Sequence, residues 1–205
     1  MLSTVILISG RGSNMQAIVE AQIPNVQIKA IISNDPDAKG LEYAKQQGID
    51  IDAVVVNHKQ FANRSTFDAA LKTSIDQFDV DLVILAGFMR ILTPDFVQHY
   101  RGRLLNIHPS LLPLFKGLHT HERALEAGVT EHGVSVHFVT EDLDGGPIIA
   151  QAKVPVLDND DADKLAARVL VQEHKIYPQV VQWFAEGRLK LQQNQVLLDG
   201  KAVQL

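Results

Sequence analysis

Short apolar runs recur along the first half of the chain, separated by stretches in which apolar residues return at helical spacing. The runs Thr4 to Ser9, 27–33, 52–56, 81–86 and 103–107 are rich in Val, Ile and Leu. Apolar residues occupy successive positions, so both faces of each strand are covered, as in a buried parallel sheet. Between them, 13–22, 38–47 and 64–77 carry the spacing of helices. This βαβ rhythm predicts an α/β fold on an open, doubly wound, mostly parallel sheet. The second half departs from it. A loop rich in Pro and His runs from His108 to His119, and a helix is predicted at about 120–127. Gly133–Val139 and Ile148–Val154 read as strands joined only by Thr140–Pro147, too short for a crossover helix, so the pair is antiparallel. A long helix covers about 160–186, with an apolar stripe of Leu165, Val169, Ile176, Val180 and Phe184. A hairpin follows at 189–198. No internal repeat or linker-like stretch interrupts the chain, so 1–205 reads as a single domain.

Composition narrows the function classes. A chain of 205 residues with 46% hydrophobic and 21% charged residues is an ordinary globular protein able to hold a full core. Its 19 basic and 24 acidic residues give a net charge of −5, without the basic footprint of a nucleic-acid binder. The absence of cysteine excludes disulfide frameworks, zinc ribbons, iron–sulfur clusters and a cysteine nucleophile. Apolar runs such as Val5–Ile8 and Leu82–Ala86 fall far short of the ~20 residues of a membrane helix. No basic segment precedes the first of them, so no signal peptide is expected. The expected location is the cytoplasm.

Five places carry candidate chemistry. Ser9-Gly10-Arg11-Gly12-Ser13-Asn14 joins the first strand to the first helix. Glycines there allow close backbone approach, the new helix offers free N–H groups, and Ser13 and Asn14 are good N-cap residues. Gly-Lys-Ser/Thr of a Walker A loop is absent, and Met15 stands where a dinucleotide fingerprint needs its third glycine. The loop suits a single phosphate, or is a plain glycine turn. Asn106 and His108 end the fifth strand two residues apart, hence on one face, where an amide and an imidazole can hold an oxyanion or simply cap the strand. Asp144 lies in Asp142-Leu143-Asp144-Gly145-Gly146-Pro147, either a partner of His108 or a turn residue. Gly87-Phe88-Met89-Arg90-Ile91-Leu92-Thr93-Pro94 places apolar residues in a loop, as a pocket wall or a core-facing segment. Glu173 sits on the apolar stripe of the long helix, where a carboxylate needs an ion-pair partner or a polar ligand. The histidines at 108, 119, 121, 132 and 137 are dense, but His121-Glu122-Arg123-Ala124-Leu125 lacks the second histidine of a zinc protease helix, and no metal is expected.

Taken in order, these motifs resemble the glycinamide-ribonucleotide formyltransferase (GAR transformylase) family, end to end. The resemblance runs through Ile8-Ser9-Gly10 with Gly12-Ser13-Asn14, Leu85-Ala86-Gly87-Phe88-Met89-Arg90-Ile91-Leu92 and Leu105-Asn106-Ile107-His108-Pro109-Ser110-Leu111-Leu112-Pro113. It continues through Gly117-Leu118-His119-Thr120-His121, His132-Gly133-Val134-Ser135-Val136-His137, Leu143-Asp144-Gly145-Gly146-Pro147 and Gln172-Glu173-His174. It implies a Rossmann-like formyltransferase fold and formyl transfer from 10-formyltetrahydrofolate, the co-substrate, to the amine of glycinamide ribonucleotide in purine biosynthesis. Residues 1–100 would hold the phosphate, and 101–205 would carry catalytic and folate loops. Carried over by motif, Gly12, Ser13 and Asn14 hold the phosphate and Glu173 the ribose side. Met89, Arg90, Ile91 and Leu92 bind the folate, with Arg64, Asn106, Thr140 and Asp144. Asn106, His108 and Asp144 match the catalytic residues: the amide and a protonated imidazole stabilise the oxyanion, and Asp144 favours the imidazolium. Small-molecule substrates, no metal, no nucleic acid, no membrane, and a monomer or weak homodimer follow from the same resemblance. Leu114-Phe115-Lys116 departs from the family by lacking a basic residue directly after Pro113. Leu170 removes a polar side chain one turn before Glu173. The rivals are a 10-formyltetrahydrofolate deformylase, for which the phosphate loop has no purpose, and a non-catalytic nucleotide-binding module, which need not keep Asn106, His108 and Asp144 together.

Overall fold

The computed structural model describes residues 1–205, the side chain of Ile49 excepted. The chain forms two compact units, Met1–Asn106 and Ile107–Leu205. The first contains β1 (Leu2–Ile8), α1 (Ser13–Glu20), β2 (Val26–Ser33), α2 (Gly40–Gln46), β3 (Asp52–Val55), α3 (Arg64–Asp76), β4 (Leu82–Leu85), α4 (Pro94–His99) and the start of β5 (Leu104–His108). Its strands are parallel and lie in the order β3-β2-β1-β4-β5. Val5 to Ile8 and Leu82 to Leu85 are buried, as apolar positions on both faces require. β3 differs. It has β2 as its neighbour, Val55 is 44% exposed, and Asp52 faces solvent, because this strand forms the edge of the sheet.

Local signals set the helix starts. Asn63 Oδ1 accepts the Thr66 N–H at 3.0 Å, and Thr66 Oγ1 accepts the Asn63 N–H at 3.4 Å, a reciprocal cap that starts α3 at Arg64. Thr93 Oγ1 caps Phe96 N–H, with Pro94 as the first residue of α4.

The second unit contains α5 (Thr120–Glu126), β6 (Glu131–Phe138), β7 (Ile148–Pro155), α6 (Ala162–Ala185), β8 (Leu189–Gln192), β9 (Gln195–Leu198) and β10 (Lys201–Ala202). β6 and β7 pair antiparallel from Glu131↔Pro155 to His137↔Ile148, as their short connection demands. The expected hairpin is β8–β9, to which β10 adds a third antiparallel strand. The larger sheet has seven strands in the order β3-β2-β1-β4-β5-β6-β7. The fold is thus α/β, with an open, doubly wound, mostly parallel sheet and an antiparallel pair in its C-terminal half.

The core face of α6 needs a correction. Leu165, Val169, Glu173, Tyr177, Val180 and Val181 are buried, whereas Ile176 and Phe184 are only partly so. The buried row is a run of i, i+4 steps from Leu165 to Val181, with Tyr177 in the place expected for Ile176. No helix among the described residues is long and apolar enough to cross a membrane.

Candidate active-site residues

In the first unit the strand order reverses between β1 and β4, and ligands of open α/β sheets bind outside the carboxyl ends of strands at such a reversal. The loop after β1 is the Ser9–Gly12 turn. Gly12 adopts φ 72° and ψ 33°, a left-handed conformation suited to glycine, and its carbonyl accepts the first helical N–H of α1, from Gln16, at 2.8 Å. Gly12 therefore occupies the N-cap position, without a side-chain cap, and Ser13 and Asn14 open the helix instead of capping it. A Cβ on Gly12 would lie 2.7 Å from the Met15 Cε. What the turn offers is the helix's first amides, the arrangement that binds a phosphate.

Ser9 joins this turn to the loop after β4. Its Oγ accepts the Met89 N–H at 2.8 Å and donates to Asn34 Oδ1, at the end of β2. His58 Nδ1 lies 2.9 Å from the Asn34 carbonyl and 3.1 Å from its Nδ2. Beyond Ser9's bond, Met89 and Ile91 are 62% and 52% exposed, while Leu92 is half-buried. The Arg90 guanidinium sits 5.6 Å from the Phe67 ring centroid on α3, with a buried Nε that has no hydrogen-bond partner. Arg64, the first residue of that helix, is exposed. An exposed apolar run that carries a guanidinium suits a flat ligand with an anionic group.

Asn106 and His108 lie two apart on β5, so both side chains point to the same face; Asn106 is half-buried and pairs in register with Leu85. In the second unit, His108 and Asp144 come together. Nδ1 of His108 is 3.5 Å from Asp144 Oδ2, with both side chains about nine-tenths buried. Its Nε2 lies 2.8 Å from the Phe115 carbonyl and donates to it. An acceptor thus faces each ring nitrogen. Asp144 is fixed in turn. Its backbone is left-handed (φ 50°), and its Oδ2 accepts the Gly117 N–H at 2.9 Å. Gly145 N–H closes the turn on the Asp142 carbonyl at 3.0 Å. At Gly146 a Cβ would sit 1.8 Å from the Phe138 carbonyl oxygen, so the next turn residue must be glycine.

Three other histidines of this unit have a different character. Burial pushes His137 and His121 below the ordinary imidazole range, and pushes His132 down to about 4, with the His121 and His108 imidazoles adding to its shift. His121 Nδ1 and His132 Nε2 are 3.1 Å apart, a pair satisfied by one proton. Thr140 follows β6 and is half-buried; Glu173 is 8% exposed on α6, between Val169 and Tyr177. Among the described residues, no group of three or more His, Cys, Asp or Glu side chains is placed to hold a metal ion. The sequence reading missed Ser9 as a bridge and Phe115 as the partner of His108. Only the position of Ser9 at a strand end hinted at the first, and a carbonyl leaves no trace in the sequence.

The formyl transferase family profile matches residues 2–181. The phosphoribosylglycinamide formyltransferase of Escherichia coli K12 is 55% identical over 203 residues, covering 98% of this chain and 95% of that protein. The human trifunctional purine biosynthetic protein adenosine-3 is 49% identical over 192 residues, 92% of this chain and 19% of its own length. Among solved structures, the phosphoribosylglycinamide formyltransferase of Coxiella burnetii in complex with CHES has a TM-score of 0.94 at 52% identity, covering 99% of this chain and 96% of that one. With a match across residues 2–181, and with the Escherichia coli and Coxiella burnetii proteins this similar over nearly their whole length, the chain belongs to the formyl transferase family.

Proposed function

We propose that the chain transfers the formyl group of 10-formyltetrahydrofolate to the glycinamide amine of N1-(5-phosphoribosyl)glycinamide, a step of de novo purine biosynthesis. The observation that carries this reading is 55% identity to a phosphoribosylglycinamide formyltransferase over 98% of the chain, covering every motif singled out above. Gly12, Ser13 and Asn14 bind the phosphate through the first amides of α1, which explains how a chain of net charge −5 accepts an anion without a basic patch. Glu173 binds the ribose. Met89 to Leu92 hold the folate, with Arg64 and Arg90 toward its carboxylates, and with Asn106, Thr140 and Asp144.

The neutral amine attacks the formyl carbon. A carbon–nitrogen bond forms, and the formyl oxygen takes the negative charge. Asn106 and the His108 imidazolium donate to that oxygen, which replaces one of the two acceptors the ring now has. Asp144 stabilises the cation. The bond to the folate nitrogen then breaks, and the proton lost by the amine reaches that nitrogen through water, leaving tetrahydrofolate and the formylated ribonucleotide. The test is to follow folate absorbance with and without the ribonucleotide. Product is expected only when it is present. Equal turnover in its absence would identify a hydrolase and overturn the proposal.

A further inference from the structure

The Met89–Leu92 run lies in neither a helix nor a strand, so something else must set its shape. Two side chains grip the backbone just at its ends. At one end Ser9 Oγ accepts the Met89 N–H at 2.8 Å. At the other, Asp68 Oδ2 accepts the Thr93 N–H at 2.6 Å. Asp68 is an odd residue for its place. It is 3% exposed, on the core face of α3 beside Phe67, Leu71 and Ile75, and its Oδ1 is buried without a hydrogen-bond partner. A buried carboxylate with one unsatisfied oxygen is costly, and packing alone would favour an apolar side chain there. Ser9 is likewise engaged twice, since the same hydroxyl donates to Asn34.

We infer that Ser9 and Asp68 are positioning residues for the folate: they clamp the two ends of the Met89–Leu92 run and hold it in its binding conformation. This rests on the reading that the run takes the folate. Among the described residues, the hydrogen bond Asp68 makes is to the Thr93 N–H, where this run meets the start of α4 and away from the phosphate turn, so its loss should weaken one substrate and spare the other. Ser9 also opens the phosphate turn, so its loss should weaken both.

The experiment measures KM for 10-formyltetrahydrofolate and for the ribonucleotide in Asp68→Ala and Asp68→Asn, with thermal melts to confirm folding. Asp68→Ala is expected to raise the folate KM about tenfold or more, in line with losing a hydrogen bond to a charged acceptor, and to leave the ribonucleotide KM within about twofold. Asp68→Asn keeps an oxygen acceptor and should restore most of the folate KM. A folded Asp68→Ala whose folate KM is unchanged, or whose two KM values rise together, overturns the inference. Ile91→Asp, at an exposed position of the run, separates this failure from failure of the underlying reading. If Ile91→Asp also leaves the folate KM unchanged, the run is not the folate site. If it raises that KM while Asp68→Ala does not, the clamp alone is wrong. Should Asp68→Ala fail to fold, Ser9→Ala and Ser9→Thr decide. A raised folate KM in the alanine variant, rescued by threonine's hydroxyl, supports the clamp, and any other result removes it.

Discussion

The Gly10–Asn14 turn of the first unit and the Asp142–Pro147 turn of the second both follow a buried strand and both depend on glycine, yet they present different matter to a ligand. The first presents backbone. Gly12 is left-handed, no side chain caps α1, and the useful groups are amides. The second presents a side chain. Its glycine serves to fix Asp144, whose carboxylate faces His108 at 3.5 Å. A site made of backbone is broken by adding atoms, and a site made of side chains by removing charge. The first should fail in binding and the second in rate.

The sharpest way to break that contrast is Asp144→Asn, which keeps the shape of the turn and removes the charge. We expect kcat to fall by ~10²–10⁴, the usual scale of acid–base assistance, with little change in the ribonucleotide KM. Steady-state kinetics would decide it; a variant with normal kcat would return Asp144 to a turn residue. Next in size is Gly12→Val. A β-branched residue at φ 72° is strained by about 1–3 kcal/mol, and its Cβ meets Met15. Ribonucleotide affinity should drop by about tenfold or more while folate affinity holds, as calorimetry with each ligand alone can test. Equal loss of both would mean a general collapse, and unchanged ribonucleotide affinity would end the phosphate role.

The smallest effect concerns pH, and it belongs to the second unit's neutral histidines. His132 has its pKa pushed down to about 4 in the folded chain against 6.5 in a free side chain. Between those values the unfolded chain binds the extra proton and the folded chain does not, so stability rises with pH across this window and is lost as pH falls through it. His121 shifts the same way. Thermal melts at pH 7 and pH 5 should differ by several degrees, and His132→Gln should reduce the difference. An unaltered pH dependence in the variant would show that other groups set it.

Much of the fold was legible because buried parallel strands write themselves as unbroken apolar runs, and the short Thr140–Pro147 connection permitted only an antiparallel pair. Two short elements escaped. α4 is six residues long and opens on the last residue of the Gly87–Pro94 motif, and β10 has two residues and no periodicity to detect. The burial of α6 was misjudged by one position at Ile176 because a stripe of spacings three and four fits neighbouring rows almost equally well. In the candidate site, residues with distinctive letters at strand ends, such as Asn106 and His108, could be found. What could not be found were partners fixed by folding alone. Ser9 and Met89 are 80 residues apart, Asp68 and Thr93 are 25 apart, and the acceptor on His108 is a carbonyl.

The left-handed Asp144 is followed directly by Gly145, and that dipeptide has a chemical lifetime as well as a shape. An aspartate before glycine tends to cyclise, its carboxyl carbon attacked by the unhindered amide nitrogen that follows, and then to reopen as the isomerised β-linked chain. Here the fold opposes the reaction at both reacting groups. Gly145 N–H is committed to the Asp142 carbonyl, and the carboxylate is held by Gly117 N–H. The same two bonds that place the charge beside His108 therefore also protect it from covalent ageing. Unfolded chains lack that protection, so damage at this peptide bond should accumulate in denatured material and mark how long a molecule has spent out of its native state.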